Sequence, residues 1–343
     1  MKQLLNTVYV SDPEVYLALK GKNLNLLKGE ESLARIPLHN IEAICTFGHQ
    51  GASPALMSEC MQQNISLTFF SSSGRFRGRV TGELNGNVTL RKKQYRVSDK
   101  EDECVRIAGN MIIGKIFNSE QLLKRTIRDH ALRVDVDRMT KVIERLRDSR
   151  KIVSECNDLE ALRGIEGNAA SAYFSVFEDS ILQQKDVFFF KGRNRRPPLD
   201  PVNALLSFAY SLLASETAAA LEGVGLDSYV GFLHRDRPGR TSLALDLMEE
   251  LRPLIADRFV LKIINRQQLS DSDFIVKENG AVILTDEARR NFLQLWQKDK
   301  QQTITHPFLK EKVSWGLIPH VQALVLARYL RGDLDAYPPI LIR

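Results

Sequence analysis

The stretch RTSLALDLMEELRP, residues 240–253, decides how the chain is read. Projected at about 100° per residue, the leucines at 243, 247, 251 and 254 fall in one stripe. Leu245 and Met248 fill most of the remaining circumference, and Asp246, Glu249 and Glu250 share the sector left over. A helix apolar nearly all round is normally buried, and buried carboxylates are costly unless they are paired or bind a metal. The stretch therefore predicts a helix inside a core, carrying an acidic strip that needs a partner. Thr241 or Ser242 is expected to cap its N-terminus.

Far upstream the periodicity is different. The first eighty or so residues alternate in short period-2 runs such as NTVYV, LNLLK, NIEAICTF and ISLTFF, with one helix-like insert, SPALMSECMQQN. From about Ser98 the pattern becomes long segments of period 3.6, interrupted by DFIVKENGAVILT, where Asn279-Gly280 suits a tight primed hairpin turn. The expected class is α+β: a small β-sandwich-like domain over residues 1–85, a basic polar linker at 86–97 (GNVTLRKKQYRV), and a larger, mainly helical domain over 98–343. The apolar run from Ala204 contains Glu216 and Glu222, so it reads as a core helix and not a membrane span.

Composition narrows the function classes. The 343 residues are 43% hydrophobic and 26% charged, which excludes disordered and fibrous chains. Lys and Arg outnumber Asp and Glu by 48 to 42, so a polyanionic partner is permitted without being demanded. Cys45, Cys60, Cys104 and Cys156 are scattered without zinc or disulfide spacing, and the N-terminus has no apolar stretch long enough for a signal peptide. A cytoplasmic setting is expected.

Two further residues extend the acidic strip into a site. Glu166 lies on the apolar face traced by Leu162, Ala170, Tyr173 and Phe177, with Gly164 and Gly167 beside it. Glycine inside a helix costs ~1 kcal/mol relative to alanine, so a close approach by another group is expected there. His234 sits in GFLHRDRPGRTS, a short loop before the acidic helix, so histidine and carboxylates are expected near one another. A mixed oxygen and nitrogen donor set favours Mg2+ or Mn2+ and phosphoryl transfer. Other readings stay open: Glu166 paired with Arg163, Asp246 answering the helix dipole, and Glu249 or Glu250 paired with Arg252. Basic clusters at 75–79, 91–96 and 190–198, with the arginines beside His234, suit a nucleic-acid backbone. Arg193, Arg195, Arg196, Arg237 and Arg240 are the expected phosphate contacts. Tyr173 reads as a packed aromatic in preference to a covalent nucleophile.

EGNAASAYF around Glu166, GRNRRPPLDPVNALLSFAYSLL from Gly192, GFLH ending at His234 and LALDLMEELRP from Leu243 together resemble the CRISPR-associated integrase family, the larger subunit of the spacer-acquisition complex. The resemblance implies a metal-dependent DNA endonuclease that joins the 3′-hydroxyl ends of a short duplex to a repeat by transesterification. It implies Glu166, His234 and Glu249 as metal ligands and Asp246 as a supporting acid. It also implies a homodimer through the β domain and a small ferredoxin-like partner. The compact DLMEELRP form resembles a type I subtype, I-C. Two other functions compete: a repair nuclease that only hydrolyses, and a DNA-binding scaffold without chemistry.

Overall fold

The protein is described here by a computed structural model covering residues 6–71, 74–82, 88–194 and 197–342. The chain divides into two compact units.

The first unit is a two-sheet sandwich. Strands β1 (Thr7–Val10), β2 (Tyr16–Lys20), β3 (Asn23–Lys28), β4 (Glu31–Pro37) and β5 (Ala43–Thr46) lead into helix α1 (Pro54–Gln62), then β6 (Ser66–Phe70) and β7 (Phe76–Val80). One sheet has the order β1-β5-β6-β7, parallel except for the last pair, and the other is the antiparallel meander β2-β3-β4. Period-2 alternation sends Leu17 and Leu24 from the meander, Ile44 and Leu67 from the other sheet, and Leu56 and Cys60 from α1 into one core. The insert SPALMSECMQQN forms α1 as its signals require: Ser53 accepts the N–H of Leu56 and Pro54 takes the first helical position.

The second unit is helical: α2 (Val88–Ser98), α3 (Glu101–His130), α4 (Val136–Glu155), α5 (Leu159–Ser175), α6 (Pro201–Gly223), α7 (Ser242–Leu251) and α8 (Arg258–Asn265) precede a hairpin of β8 (Phe274–Val276) and β9 (Val282–Leu284). Then come α9 (Asp286–Lys300), which groups with the first unit, the short strands β10 (Thr303–Thr305) and β11 (Lys312–Ser314), and, back in the second unit, α10 (Ile318–Arg331). Helix α6 is long and apolar enough to cross a membrane, but 67% of its apolar window is buried inside the protein, so it is a core helix as expected.

Four expectations are corrected. The expected linker at 86–97 is helical from Val88, because Leu90, Gln94 and Val97 recur at spacings of four and three beneath the basic residues. Residues 284–302 and 314–317 group with the first unit, so the first unit is not confined to residues 1–85; there Arg289 of α9 lies over the Phe47 ring. The hairpin turn is a three-residue loop: Gly280 N–H donates to Lys277 O, Lys277 N–H to Ala281 O, and Gly280 is left-handed (φ 78°) where a two-residue primed turn would need Asn279 left-handed too. The cap of α7 is Thr241, whose side chain makes no capping bond.

Candidate active site

All three acids of the opening stretch are buried on α7, and each has a different partner set. Asp246 organises the loop before the helix. Its Oδ2 accepts the N–H groups of Phe232 (2.6 Å) and Leu233 (2.9 Å), and its Oδ1 accepts the N–H of His234 (3.0 Å) and the imidazole Nδ1 (2.5 Å). A carboxylate only accepts here, so Nδ1 is the donor, which leaves Nε2 as the nitrogen facing away from Asp246. The chain can pass this close because residue 231 is glycine: a Cβ there would lie 2.7 Å from Asp246 Oδ2 and 2.8 Å from Ser242 Cβ. Gln94 fixes the same loop from α2, donating to Asp227 O and Val230 O (both 2.8 Å) and accepting the N–H of Asp227 (2.9 Å).

Glu249 projects from the next turn. Its Oε2 takes the Lys115 ammonium of α3 at 2.6 Å, and its Oε1 faces the Arg252 guanidinium at 3.1 Å. Burial works to raise the Glu249 pKa, but Arg252, Lys115 and His234 outweigh it and hold the group at about 2. The same Lys115 ammonium donates to Glu166 of α5, so carboxylates from two helices meet on one cationic atom. Burial opposes the charge on Lys115, and Glu249 and Glu166 more than restore it, leaving its pKa raised. Glu166 is therefore paired, but with Lys115 and not Arg163, which bonds Leu233 O and Glu160. Gly164 and Gly167 make no close approach; a Cβ at either would meet nothing, and that side of α5 is open.

Glu250 points elsewhere. It accepts from the Tyr337 hydroxyl, from Gln322 Nε2 (2.9 Å) and from Ile340 N–H (2.8 Å), tying the C-terminal segment to α7. Burial pushes its pKa up to about 7 against these donors. Tyr173 is a packed aromatic, 3% exposed, whose hydroxyl donates to Asp257 Oδ2 at 3.1 Å.

Of the expected phosphate contacts, Arg237 is exposed and Arg240 half-buried, and neither has a salt-bridge partner among the described residues. Arg193 is turned inward: it donates to Asn203 Oδ1 (2.6 Å) and Ser207 Oγ (3.1 Å) and lies over the Tyr210 ring. Arg195 and Arg196 fall outside the described residues. Sequence reading passed over Lys115 entirely, although a lone lysine inside the apolar run MIIGKIF is a signal of buried pairing.

Among the described residues no three of His, Cys, Asp and Glu gather closely enough to hold an ion as they stand. The donor chemistry nevertheless fits a hard divalent cation. Two carboxylates already share one cation, and His234 shows the metal-ligand habit of anchoring Nδ1 on a carboxylate while Nε2 has no partner among the described residues.

The family model for CRISPR associated protein Cas1 matches residues 8–298. CRISPR-associated endonuclease Cas1 2 of Rhodospirillum rubrum is 47% identical, over 99% of both chains. A Cas1 protein from Thermotoga maritima has the same fold, with a TM-score of 0.81 at 23% identity over 97% of this chain and 99% of that one. So does a casposase solved bound to its integration product, with a TM-score of 0.85 at 21% identity, covering 98% of this chain and 94% of that one. With most of its length under that family model and nearly half its residues shared with a full-length relative, the chain belongs to the CRISPR-associated Cas1 family.

Proposed function

We propose that the protein is a divalent-metal-dependent DNA endonuclease and integrase of CRISPR adaptation, inserting short duplexes into a repeat array by attack of their 3′-hydroxyl ends. The observation that carries this reading is the meeting of Glu166 and Glu249 on a single cationic atom, beside a histidine fixed by Asp246. The name of the R. rubrum relative supports nuclease chemistry, and a fold shared with a casposase bound to its integration product favours strand transfer over hydrolysis alone.

Glu166, Glu249 and Nε2 of His234 would hold Mg2+ or Mn2+. Such an ion, when bound, polarises a phosphodiester and lowers the pKa of an attacking hydroxyl or water. Asp246 holds the imidazole in one tautomer and orientation. Arg237 and Arg240 neutralise DNA phosphates at the mouth of the His234 loop. The Glu166 side chain keeps 24% of its surface exposed, which leaves it within reach of a duplex. On the family resemblance we also assign a homodimer formed through the β-rich unit, a small ferredoxin-like partner and a type I-C system.

The test is transfer of label from short duplexes with free 3′-hydroxyls into a supercoiled plasmid bearing a repeat array, in Mn2+. Glu166→Gln, His234→Ala and Glu249→Gln are each expected to abolish transfer, as is blocking the 3′ ends. Equal transfer from blocked duplexes overturns the integrase mechanism, and cleavage without joining leaves a hydrolytic repair nuclease. Full activity in all three variants leaves a DNA-binding scaffold.

A further inference from the structure

The site already contains a cation. Lys115 emerges from the middle of α3 with only 12% of its side chain exposed, and its ammonium donates to Glu166 of α5 and Glu249 of α7. Arg252 faces the second of these carboxylates. Two acids are thus balanced by two bases before any divalent ion is considered. An ion placed on the same carboxylate oxygens would add two positive charges within contact range of the ammonium, and at that range charge repulsion is among the largest forces available. One of the bases has to give way.

The structure favours Lys115 as the one that moves. Arg252 is held by more than its acid: its guanidinium lies 4.8 Å from the centroid of the Tyr210 ring. Among the described residues Lys115 has no comparable second anchor. Its hydrogen bonds there go to the two carboxylates, and its four-carbon stem can swing the charge away without moving α3. Once off the carboxylates, a nearly buried ammonium needs another anion, and the phosphates of a duplex are the anions that the proposed function would bring to the site.

We propose that Lys115 is a displaceable counter-cation, holding Glu166 and Glu249 together in the ion-free protein, competing with the divalent ion for their oxygens, and passing to a DNA phosphate when duplex binds. Ion loading is then coupled to DNA binding, and by linkage each strengthens the other by the same factor. This rests on the reading of Glu166, His234 and Glu249 as ion ligands. It assigns Lys115 a positioning role for those ligands, with a consequence that simple structural support would lack.

The experiment titrates Mn2+ and follows free hexaaquo ion by electron paramagnetic resonance. It uses wild type, Lys115→Met and the Glu166→Gln version of each, with and without a short duplex blocked at both 3′ ends. Without DNA, Lys115→Met is expected to bind Mn2+ on the order of tenfold more tightly than wild type. The duplex is expected to tighten Mn2+ binding to wild type by a similar factor, and by a smaller one in Lys115→Met, where only direct phosphate ligation remains. Equal Mn2+ affinity in wild type and Lys115→Met, or a duplex effect of the same size in both, overturns the proposal. If Lys115→Met does not fold, Lys115→Gln replaces it, and absence of any duplex effect in wild type overturns the proposal by itself. If Glu166→Gln leaves Mn2+ binding intact in both backgrounds, the ion lies elsewhere and the reading of the site fails. If Glu166→Gln abolishes binding while Lys115 and duplex have no effect, the site stands and only the role of Lys115 falls.

Discussion

Asp246 has no acceptor capacity to spare. Three backbone N–H groups and an imidazole N–H converge on its two oxygens, all between 2.5 and 3.0 Å. In the proposed site it would therefore act on an ion through His234, since its own oxygens are already taken. Asp246→Asn keeps the shape but turns one acceptor into a donor that faces N–H groups. The expected result is a loss of roughly 10- to 100-fold in Mn2+ affinity and strand transfer, the usual cost of losing a carboxylate behind a ligating histidine. A variant with wild-type affinity and rate would show that the loop holds His234 without it. From the sequence this residue was legible only as belonging to the site. Its spacing from Glu249 placed both near His234, but whether it would serve as ligand, dipole partner or anchor depended on the return of residues 232–234 against α7, which no helical projection contains.

At the scale of elements, the site is built where helices are stapled by buried polar groups. Pro253 has no N–H to give Glu249 O, so the chain leaves α7 through a wider π-helical turn, Arg252–Asp257, before resuming as α8. That turn carries Arg252 to Glu249 at one end and Asp257 to two tyrosines at the other. Tyr173 of α5 and Tyr210 of α6 both donate to Asp257, at 3.1 and 2.6 Å. Burial raises its pKa to about 6 from 3.8, more than the two hydroxyls and Arg252 lower it. With the folded value above the unfolded one, the stabilisation is complete below the unfolded pKa and is lost as pH rises through the folded one. Relative to Asp257→Asn, the wild type is expected to lose on the order of 2 kcal/mol of unfolding free energy between about pH 4 and pH 7. Urea titrations at the two pH values measure it, and parallel pH profiles would place the proton elsewhere. The elements themselves were largely legible, since apolar period marked α1, α5, α6 and α7. The exception, α2, shows why some are not: Leu90, Gln94 and Val97 carry its buried face, and one of those three is a glutamine whose value lies in the loop carbonyls it reaches.

Over the whole molecule the basic excess is small, a formal +6, so its distribution matters more than its size. Many cations are already committed. Glu120 holds Lys124, Arg147 and Arg150, and Glu160 holds Arg163 and Arg235. Sequence clusters cannot reveal this, because the acids that neutralise them come from other helices or other turns. Arg193 and Arg237 look equivalent in the sequence; the first bonds α6 and the second faces solvent. Burial lowers the Arg240 pKa and the nearby charge of Arg237 lowers it further, while Asp246 works to raise it. Cations beside His234 that lack a salt bridge among the described residues are what a phosphate backbone would relieve. The double variant Arg237→Gln, Arg240→Gln is expected to bind duplex DNA more weakly and with a flatter salt dependence. The slope of log K against log salt should fall by roughly 0.9 for each phosphate contact removed, so by about two in all. Arg193→Gln is expected to lower thermal stability through its lost bonds to Asn203 and Ser207 and to leave the salt slope nearly unchanged. Binding isotherms across a salt series separate the two cases: an unchanged slope in the double variant would move the DNA path away from the His234 loop, and a flattened slope in Arg193→Gln would put phosphate where the structure puts Asn203.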